Sequence, residues 1–450
     1  MEATYGLVSL LPVTVVIISA IITRRALEPL LLGALVGFFI LAKENFVVAY
    51  LGALYAELGT SAYFIIIFGL FGIYIRLLEE SKAISGFTNW GLKFAKNKKK
   101  TALLTWVMGM VLFLDNYFSI LGAGVSNKEI ADKNKMSREF YTYSVNMVAC
   151  ATCVLIPLSL WGVFMSGQIE TTLGLQTGAG IGVIAKSIPF MFFAFISPIM
   201  VLLYQFKIVP LFGPMKAAEI RVETTGKLLP YDDVDAVASV DAEESEKGNI
   251  VNFIIPMVAL IVVTLITSDL LYGLLVGIAC CYVMYIGQKL IKPEHAFDII
   301  PAGFQDMFIV TAIVISAFVL QQANDQLGLA TFVVSSVEPY MNAGLLPAIA
   351  FVLLMILGFV TGSFWGMMAV CFPIILPLAD SLGTNMYMAI GAVVAGAAAG
   401  SSTCFYGDSA TLICGVTKLK NIDYARTALP LCIPPIIISI IAYLIAGFIF

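Results

Sequence analysis

Two short polar signatures interrupt apolar stretches of this sequence, one in each half. The first is residues 115–117 (Asp-Asn-Tyr), which follow the acidic residue Glu80 at an interval of about 35 residues. The second is residues 361–366 (Thr-Gly-Ser-Phe-Trp-Gly), which follow Asp325 at nearly the same interval. Carboxylate, amide and hydroxyl oxygens are the ligands that a hard cation such as Na⁺ prefers. The same polar interruption, twice in one apolar chain, predicts a secondary transporter whose cation site lies between two structural repeats.

Four carboxylates are the candidates for coupling ion movement to transport: Asp408, Asp115, Glu80 and Asp325. An ionised carboxylate in the middle of a bilayer costs on the order of 3 kcal/mol, so a carboxylate at that depth indicates function. Asp115 and Asp408 have no lysine or arginine nearby in sequence, which favours function over a structural ion pair. Glu80 has basic neighbours, so a simple salt bridge at the membrane surface suits it equally well.

Neutral polar residues in the same segments supply further oxygen ligands, and broken helices would add free backbone carbonyls. The candidates for binding an ion or substrate are Asp115, Asn116, Ser119, Asn146, Ser159, Thr361, Gly362, Ser363, Ser402, Thr403, Asp408 and Ser409. The candidates for binding Na⁺ are Asp115, Asn116, Thr361, Ser363 and Asp408. Helix packing is the competing interpretation of a glycine such as Gly362.

The composition predicts an all-α polytopic membrane protein. Of the 450 residues, 60% are hydrophobic and only 12% are charged, and many apolar runs are long enough to cross a bilayer. The net charge of −4 carries no information about partners in so apolar a chain, and no basic patch suggests nucleic acid, so nucleic acid is not expected as a partner. The expected partners are the lipid bilayer and an ion or small-molecule substrate, with a homodimer left open. No cofactor is expected beyond Na⁺ and H⁺ as coupling ions.

Lysine and arginine positions predict how the chain crosses the membrane, because cytoplasmic loops carry an excess of both. Basic residues flank the apolar stretch at about 101–124 on both sides, which predicts a re-entrant hairpin entered from the cytoplasm. The apolar stretch at about 345–372 lies in a segment without lysine or arginine, between Lys292 and Lys418, which predicts a hairpin entered from outside. The two halves are therefore expected to be inverted repeats, each with about five transmembrane helices and one hairpin.

These positions also give the predicted domain boundaries. We expect a first repeat at 1–206, a solvated, acidic cytoplasmic linker at 207–248 and a second repeat at 249–450. One transmembrane span is expected over about 386–415. Both termini are predicted to lie outside the cytoplasm, in a protein of the cell membrane. The only histidine, His295, falls in a cytoplasmic connection, so any coupled proton must be carried by a carboxylate.

Several segments together resemble the NhaC-type Na⁺/H⁺ antiporter family of the ion transporter superfamily. They are residues 113–117, 136–139, 156–162, 361–366 and 407–411. The resemblance covers most of the chain, with the motifs in the same order. It implies paired inverted repeats, two opposed hairpins and a site in the middle of the membrane. It also implies coupling to sodium or proton gradients, in a superfamily with relatives that carry organic acids or amino acids.

The sequence departs from the family pattern where titratable groups are expected. Asn116 stands where the family commonly has a second aspartate, and Asn146 where many members have one in the following helix. A histidine often found upstream of the second-half motif is missing, and Cys404 and Phe405 occupy that neighbourhood. Fewer titratable groups favour substrate transport driven by sodium over proton exchange.

The sequence therefore predicts a cation-coupled secondary active transporter that works by alternating access. An NhaC-like Na⁺/H⁺ antiporter is the first interpretation. The alternative is a Na⁺-coupled symporter or exchanger of a small amino acid or organic carboxylate. An ion channel would need a repeated filter sequence, and an enzyme would need a pattern such as H-E-x-x-H or G-x-S-x-G. Neither is present.

Overall fold

The structure is a computed structural model that describes residues 5–23, 27–60, 62–113, 116–157, 159–176, 178–231, 248–267, 269–337, 342–362 and 364–450. Helices form nearly all of the regular structure in these ranges. The helices of the first half and the linker are α1 (Leu11–Thr23), α2 (Leu27–Ala42), α3 (Phe46–Thr60), α4 (Ala62–Glu80), α5 (Ala83–Phe94), α6 (Lys98–Val111), α7 (Asn116–Ser126), α8 (Lys128–Lys133), α9 (Arg138–Leu155), α10 (Leu160–Leu173), α11 (Ala179–Ser187), α12 (Phe192–Gln205) and α13 (Gly213–Thr225).

The second half is helical as well. Its helices are α14 (Ile250–Thr267), α15 (Leu270–Gly287), α16 (Pro293–Ala296), α17 (Ile299–Gln326), α18 (Leu329–Val337), α19 (Leu346–Thr361), α20 (Phe364–Leu382), α21 (Met386–Thr403), α22 (Asp408–Thr417) and α23 (Asn421–Ile449).

Several helical runs have the length and composition to cross a membrane. Among the described residues these are Leu27–Gly59, Leu270–Gly287, Met386–Thr417 and Asn421–Ile449, and two bent helix pairs raise the number from four to six if each pair is one span. Their outer faces are apolar: Ile433, Ile437, Ile441 and Ile445 follow one another at a spacing of four residues on α23 and are about half exposed. The prediction of a polytopic helical membrane protein is confirmed.

Each half contains a helix pair followed by a long helix that breaks. In the first half, α6 and α7 form the pair, and α9 and α10 are separated by a break at 156–159. In the second half, α19 and α20 form the pair, and α21 and α22 are separated by a break at 404–407. The single span expected over about 386–415 coincides with Met386–Thr417, a run with the length and composition to cross a membrane. That run is interrupted, since Cys404 is extended and ends α21, and Gly407 precedes the start of α22.

The sequence explains where two of these interruptions fall. Ile156 precedes Pro157 and is extended, as the residue before a proline usually is, so α9 ends there. The Ser159 hydroxyl then accepts a hydrogen bond from the Gly162 amide at 3.0 Å and caps α10. In the second half, Gly362 has φ +67° and ends α19 in the left-handed conformation that glycine adopts without strain.

The region predicted as a solvated linker is folded in part. Helix α13 lies inside it, and Met215, Ala218 and Val222 on that helix are buried. Their spacing of three to four residues places them on one face, which packs against α9 and α23. The linker predicted as solvated therefore contains one helix with a buried face, while residues 232–247 of the linker lie outside the described residues.

Helix α21 is buried from Met388 to its end at Thr403 and supports the site described below. Its glycines allow α19 to lie directly against it. A Cβ atom added at Gly400 would stand 2.8 Å from the Gly358 Cα atom, and one added at Gly396 would stand 2.5 Å from the Phe351 carbonyl oxygen. This close approach fixes the end of α19 beside the break at 404–407.

Candidate functional site

Asp408 is a buried carboxylate at a helix break. It is the first residue of α22, and only 3% of its surface is exposed. Its Oδ2 atom accepts a hydrogen bond from the Tyr117 hydroxyl. Its Oδ1 atom lies 2.6 Å from the Ser409 amide nitrogen and 3.2 Å from the Ser409 hydroxyl, both of which donate to it. Within the described part of the chain, Asp408 forms no salt bridge with a lysine or arginine.

Asn116 brings the first half of the chain to the same place. It begins α7 and is buried, and its Nδ2 atom donates a hydrogen bond to the Ser409 hydroxyl at 2.8 Å. Its Oδ1 atom accepts a hydrogen bond from the Trp161 indole at 3.0 Å. The starts of α7 and α22 therefore meet, one from each half. We call Asn116, Tyr117, Trp161, Asp408 and Ser409 the Asp408 cluster.

Asn146, on α9, contacts the end of α21 just before the break that precedes Asp408. Its Nδ2 atom donates hydrogen bonds to the Ser402 carbonyl at 3.0 Å and to the Tyr424 hydroxyl at 2.7 Å. The Tyr424 hydroxyl in turn donates to the same Ser402 carbonyl at 2.8 Å. That carbonyl belongs to the last turn of α21, where helical partners run out. Asn146 and Tyr424 therefore stabilise the end of α21 just before the break.

Five predicted hydroxyl ligands are buried but donate to backbone carbonyls. The Ser119 hydroxyl donates to Gly109, which ties α7 to α6, the one at the start of α10 donates to the Cys153 carbonyl near the end of α9, and the other three donate within their own helix. The four besides Ser119 are Ser159, Thr361, Ser402 and Thr403. The contacts described for these hydroxyls stabilise helix ends, and their oxygens keep lone pairs that a cation could use.

The second helix pair also reaches the break. A Cβ atom added at Gly362 would lie 3.5 Å from the Gly407 Cα atom. The Tyr406 hydroxyl donates to the carbonyls of Phe359 and Val360, at 2.9 and 2.8 Å, and so satisfies the end of α19. Both interrupted helix pairs therefore converge on the segment that precedes Asp408. The predicted ligands Asp115 and Ser363 lie outside the described residues.

The two remaining coupling candidates lie at helix ends and are exposed. Glu80, at the end of α4, lines a cavity of about 430 Å³ together with Lys292, His295 and Asp298. Asp325 is exposed near the end of α17. Both carboxylates are exposed, whereas the residues of the Asp408 cluster are buried. The structure therefore does not support a role for Glu80 or Asp325 at that cluster.

Two side chains of the Asp408 cluster, and one buried amide on another helix, were missed as ligands. Tyr117 and Trp161 lie inside the motifs that carry the family resemblance, so the signal was present without a role attached to it. Asn324 on α17 gave no such signal. It is 1% exposed, and both polar atoms of its amide are buried without a hydrogen-bond partner among the described residues. A buried amide without partners is costly, which marks this position as suited to a ligand.

The fold and the site define a multi-pass helical membrane protein of the transporter class, with a buried carboxylate at a helix break. Residues 243–448 match the Na⁺/H⁺ antiporter family. The chain is similar to the Na⁺/H⁺ antiporter NhaC of Bacillus subtilis, with 30% identity over 158 residues, which cover 34% of this chain and 32% of that protein. The resemblance to the NhaC-type Na⁺/H⁺ antiporter family is therefore confirmed, and with it a cation antiporter in general terms.

A second relative matches over nearly the full length. An uncharacterized protein of Haemophilus influenzae is 24% identical over 484 residues, which cover 98% of this chain and 91% of that protein. The family match covers α14 to α22 and nearly all of α23, and so includes Asp408 and Ser409, whereas Asn116 and Asn146 lie before it.

Proposed function

We propose that this protein exchanges Na⁺ for H⁺ across the cytoplasmic membrane, and that Asp408 holds the two ions in turn. One observation carries the proposal: only 3% of Asp408 is exposed to solvent, and its carboxylate has no basic partner among the described residues. A buried carboxylate of this kind needs a proton or a bound cation to offset the cost of burial. Competition of H⁺ and Na⁺ for one carboxylate gives exchange.

The neighbouring hydroxyls suit both states of Asp408. A hydroxyl group carries one donor and two acceptor lone pairs, and its hydrogen rotates. Tyr117 and Ser409 donate to the carboxylate in this structure. With Na⁺ bound, the same oxygens can turn their lone pairs to the cation. We include Asp115, Asn116, Thr361 and Ser363 among the proposed ligands, because they adjoin the two helix interruptions.

Alternating access is proposed to come from two inverted repeats, at 1–206 and 249–450, joined by the linker at 207–248. The repeated order of a helix pair followed by a broken helix supports this division. The basic residues around α6 and α7, and their absence around α19 and α20, support opposite orientations. The α6–α7 pair would then open the site to the cytoplasm and the α19–α20 pair to the outside.

Proteoliposomes with an imposed proton gradient and a trapped pH dye test the proposal. Addition of Na⁺ without any organic substrate should collapse the gradient for the wild type. Asp408→Asn keeps the size of the side chain but removes its charge, so the signal should fall to that of empty liposomes. Asp380→Asn is the matched control, because Asp380 is exposed near the end of α20, and it should behave as wild type. Normal exchange by Asp408→Asn would contradict the proposal.

A second function is supported by the small number of titratable groups in the Asp408 cluster. Asp408 is the carboxylate of the described cluster, whereas Asn116 is a neutral amide. The starts of two helices, α7 and α22, also meet there, and helix starts favour anions such as a substrate carboxylate. The second candidate is therefore Na⁺-coupled transport of a small amino acid or organic carboxylate. Accumulation of a labelled amino or organic acid only with inward Na⁺, without the proton signal, would favour it over antiport.

A further inference from the structure

A second cavity lies apart from the Asp408 cluster and shares no residue with it. Its volume is about 600 Å³, and it is enclosed by the start of α6, the end of α12 and the helix α13. Four lysines line it, together with two glutamates on α13: Lys98, Lys99, Lys207, Lys216, Glu219 and Glu223. The cavity therefore carries an excess of positive charge.

The two glutamates neutralise only one of the lysines. Lys98 lies 2.8 Å from Glu219 and 3.4 Å from Glu223. Lys207 and Lys216 have no acidic partner in the ranges that the structure describes, and Lys99 lies 5.9 Å from the centre of the Phe206 ring. Three ammonium groups around one cavity thus remain available to an anion.

The surface next to the cavity is apolar. Lys99 heads a row on α6 that continues through Leu103, Val107 and Val111 at a spacing of four residues, so all four share one face of the helix. The three apolar members are 41%, 42% and 61% exposed. A ligand that fits both features has an anionic head and a long apolar tail.

We propose that this cavity binds the phosphate group of an anionic phospholipid, with its acyl chains along the Leu103, Val107 and Val111 row. Lys99, Lys207 and Lys216 contact the phosphate, as basic pockets between membrane helices do. The apolar row favours the lipid over a soluble phosphate as the source of the group. The site is independent of Asp408 and of which ion is transported.

The position of the cavity gives the lipid a structural role. Glu219 on α13 bonds Lys98 at the start of α6 and also accepts a hydrogen bond from the Ser137 amide at 2.9 Å, before α9. A bound phosphate would add a further link between α13 and the start of the first helix pair. The lipid would therefore hold the linker helix against the membrane part of the protein.

Binding to the purified full-length protein in a neutral detergent tests the proposal, with phosphatidylglycerol titrated by microscale thermophoresis. The wild type should bind phosphatidylglycerol more tightly than phosphatidylcholine. Lys207→Gln/Lys216→Gln should bind phosphatidylglycerol about tenfold more weakly, since each basic residue contributes appreciably to anionic lipid binding. Lys289→Gln/Lys292→Gln is the matched control, because it removes two charges from another connection, where Lys289 has φ +59° as Lys207 does. This control should retain wild-type affinity.

Two further arms separate the possible sources of the phosphate. Val107→Ser should weaken binding of phosphatidylglycerol and leave any binding of glycerol 1-phosphate unchanged. Glycerol 1-phosphate that binds as tightly as the lipid would overturn the lipid assignment. Equal affinities of the wild type and the Lys207→Gln/Lys216→Gln variant, both monodisperse by size exclusion, would overturn the site itself.

Discussion

The Asn116 amide donates a hydrogen bond to the Ser409 hydroxyl at 2.8 Å and so joins the first turn of α7 to the first turn of α22. Tyr117, which follows Asn116, donates in turn to Asp408, which precedes Ser409. Two adjacent residues of one half thus hold two adjacent residues of the other. Relative movement of the two halves at this point would break both contacts together.

Tyr117→Phe should weaken Na⁺ binding while leaving the fold intact. The substitution keeps the ring, which lies edge-on to Phe68 at a centroid distance of 5.8 Å, and removes only the hydroxyl that donates to Asp408. A hydrogen bond to a charged group contributes about 1.5–3 kcal/mol, which corresponds to a loss of roughly tenfold or more in affinity. The measurement is the Na⁺ concentration for half-maximal proton release from loaded proteoliposomes.

Tyr141→Phe provides the control for that measurement. Tyr141 is equally buried, but its hydroxyl donates to the carbonyls of Ala123 and Gly124, at 2.9 and 2.7 Å. Its loss should lower thermal stability without changing the Na⁺ dependence. An identical Na⁺ dependence in Tyr117→Phe and wild type would remove Tyr117 from the site.

The two asparagines should respond differently to replacement by aspartate. In Asn116→Asp the Trp161 indole still donates to the side chain, and the Ser409 hydroxyl can turn to donate as well. This variant should fold and add a second carboxylate beside Asp408, so transport should become more dependent on pH. The measurement is the rate of Na⁺-driven proton movement between about pH 6 and 9, compared with wild type.

Asn146→Asp should instead be destabilised. The Asn146 Nδ2 atom donates to the Ser402 carbonyl and the Tyr424 hydroxyl, and an ionised carboxylate cannot replace the first of these hydrogen bonds. Loss of a buried donor costs about 1–3 kcal/mol. The detergent-solubilised variant should therefore unfold at a lower temperature than Asn116→Asp. Equal unfolding temperatures would show that Asn146 does not support the end of α21.

The polar motifs in the sequence located several residues that the structure brings together. Asn116, Asp408 and Ser409 stood out because polar residues are rare in apolar segments, and rarity in the membrane signals a role. Their partners were harder to predict. Asn146 was among the predicted ligands, but its partner Tyr424 lies 278 residues away and interrupts no pattern. Contacts between distant segments follow from how helices pack, which periodicity alone does not give.

The break at 404–407 and the helix α13 show the same limit for the fold. Cys404 and Phe405 are apolar, and no proline marks the end of α21, so the position of the break within the predicted span could not be read from the sequence. In α13 the charged residues dominate the composition, and the three buried residues of its apolar face are easily overlooked among them. Short amphipathic helices of this kind are recognised mainly by what they pack against.

Tyr231 should connect the linker to the end of α22 at every physiological pH. Its hydroxyl donates to the Lys418 carbonyl at 2.6 Å and accepts from the Lys420 amide at 3.0 Å. Burial raises the pKa of Tyr231 to about 12. Because the folded pKa is raised, this contact stabilises the fold fully below the ordinary value of about 10 and is lost as the pH rises through 12.

Tyr231→Phe tests that connection. The variant should lose about 1 kcal/mol of stability near neutral pH, since the hydrogen bond to Lys418 disappears. It should also show a smaller fall in unfolding temperature between about pH 10 and 12 than wild type does, because the titrating group is gone. Superimposable profiles of the two proteins would mean that Tyr231 does not hold the linker.

The orientation of the two helix pairs is the last prediction, and it rests on the basic residues around α6 and α7 and their absence around α19 and α20. The test uses single cysteines in a background without the eight native ones. Exposed positions on both flanks of each pair are available: Lys100 and Lys135 for the first, and Ala343 and Ser381 for the second.

In oriented vesicles, a membrane-impermeant maleimide should label Lys100→Cys and Lys135→Cys only from the cytoplasmic side. The same reagent should label Ala343→Cys and Ser381→Cys only from outside. Labelling of Lys100→Cys and Lys135→Cys from opposite sides would make α6 and α7 an ordinary crossing, and the inverted repeat would have to be abandoned.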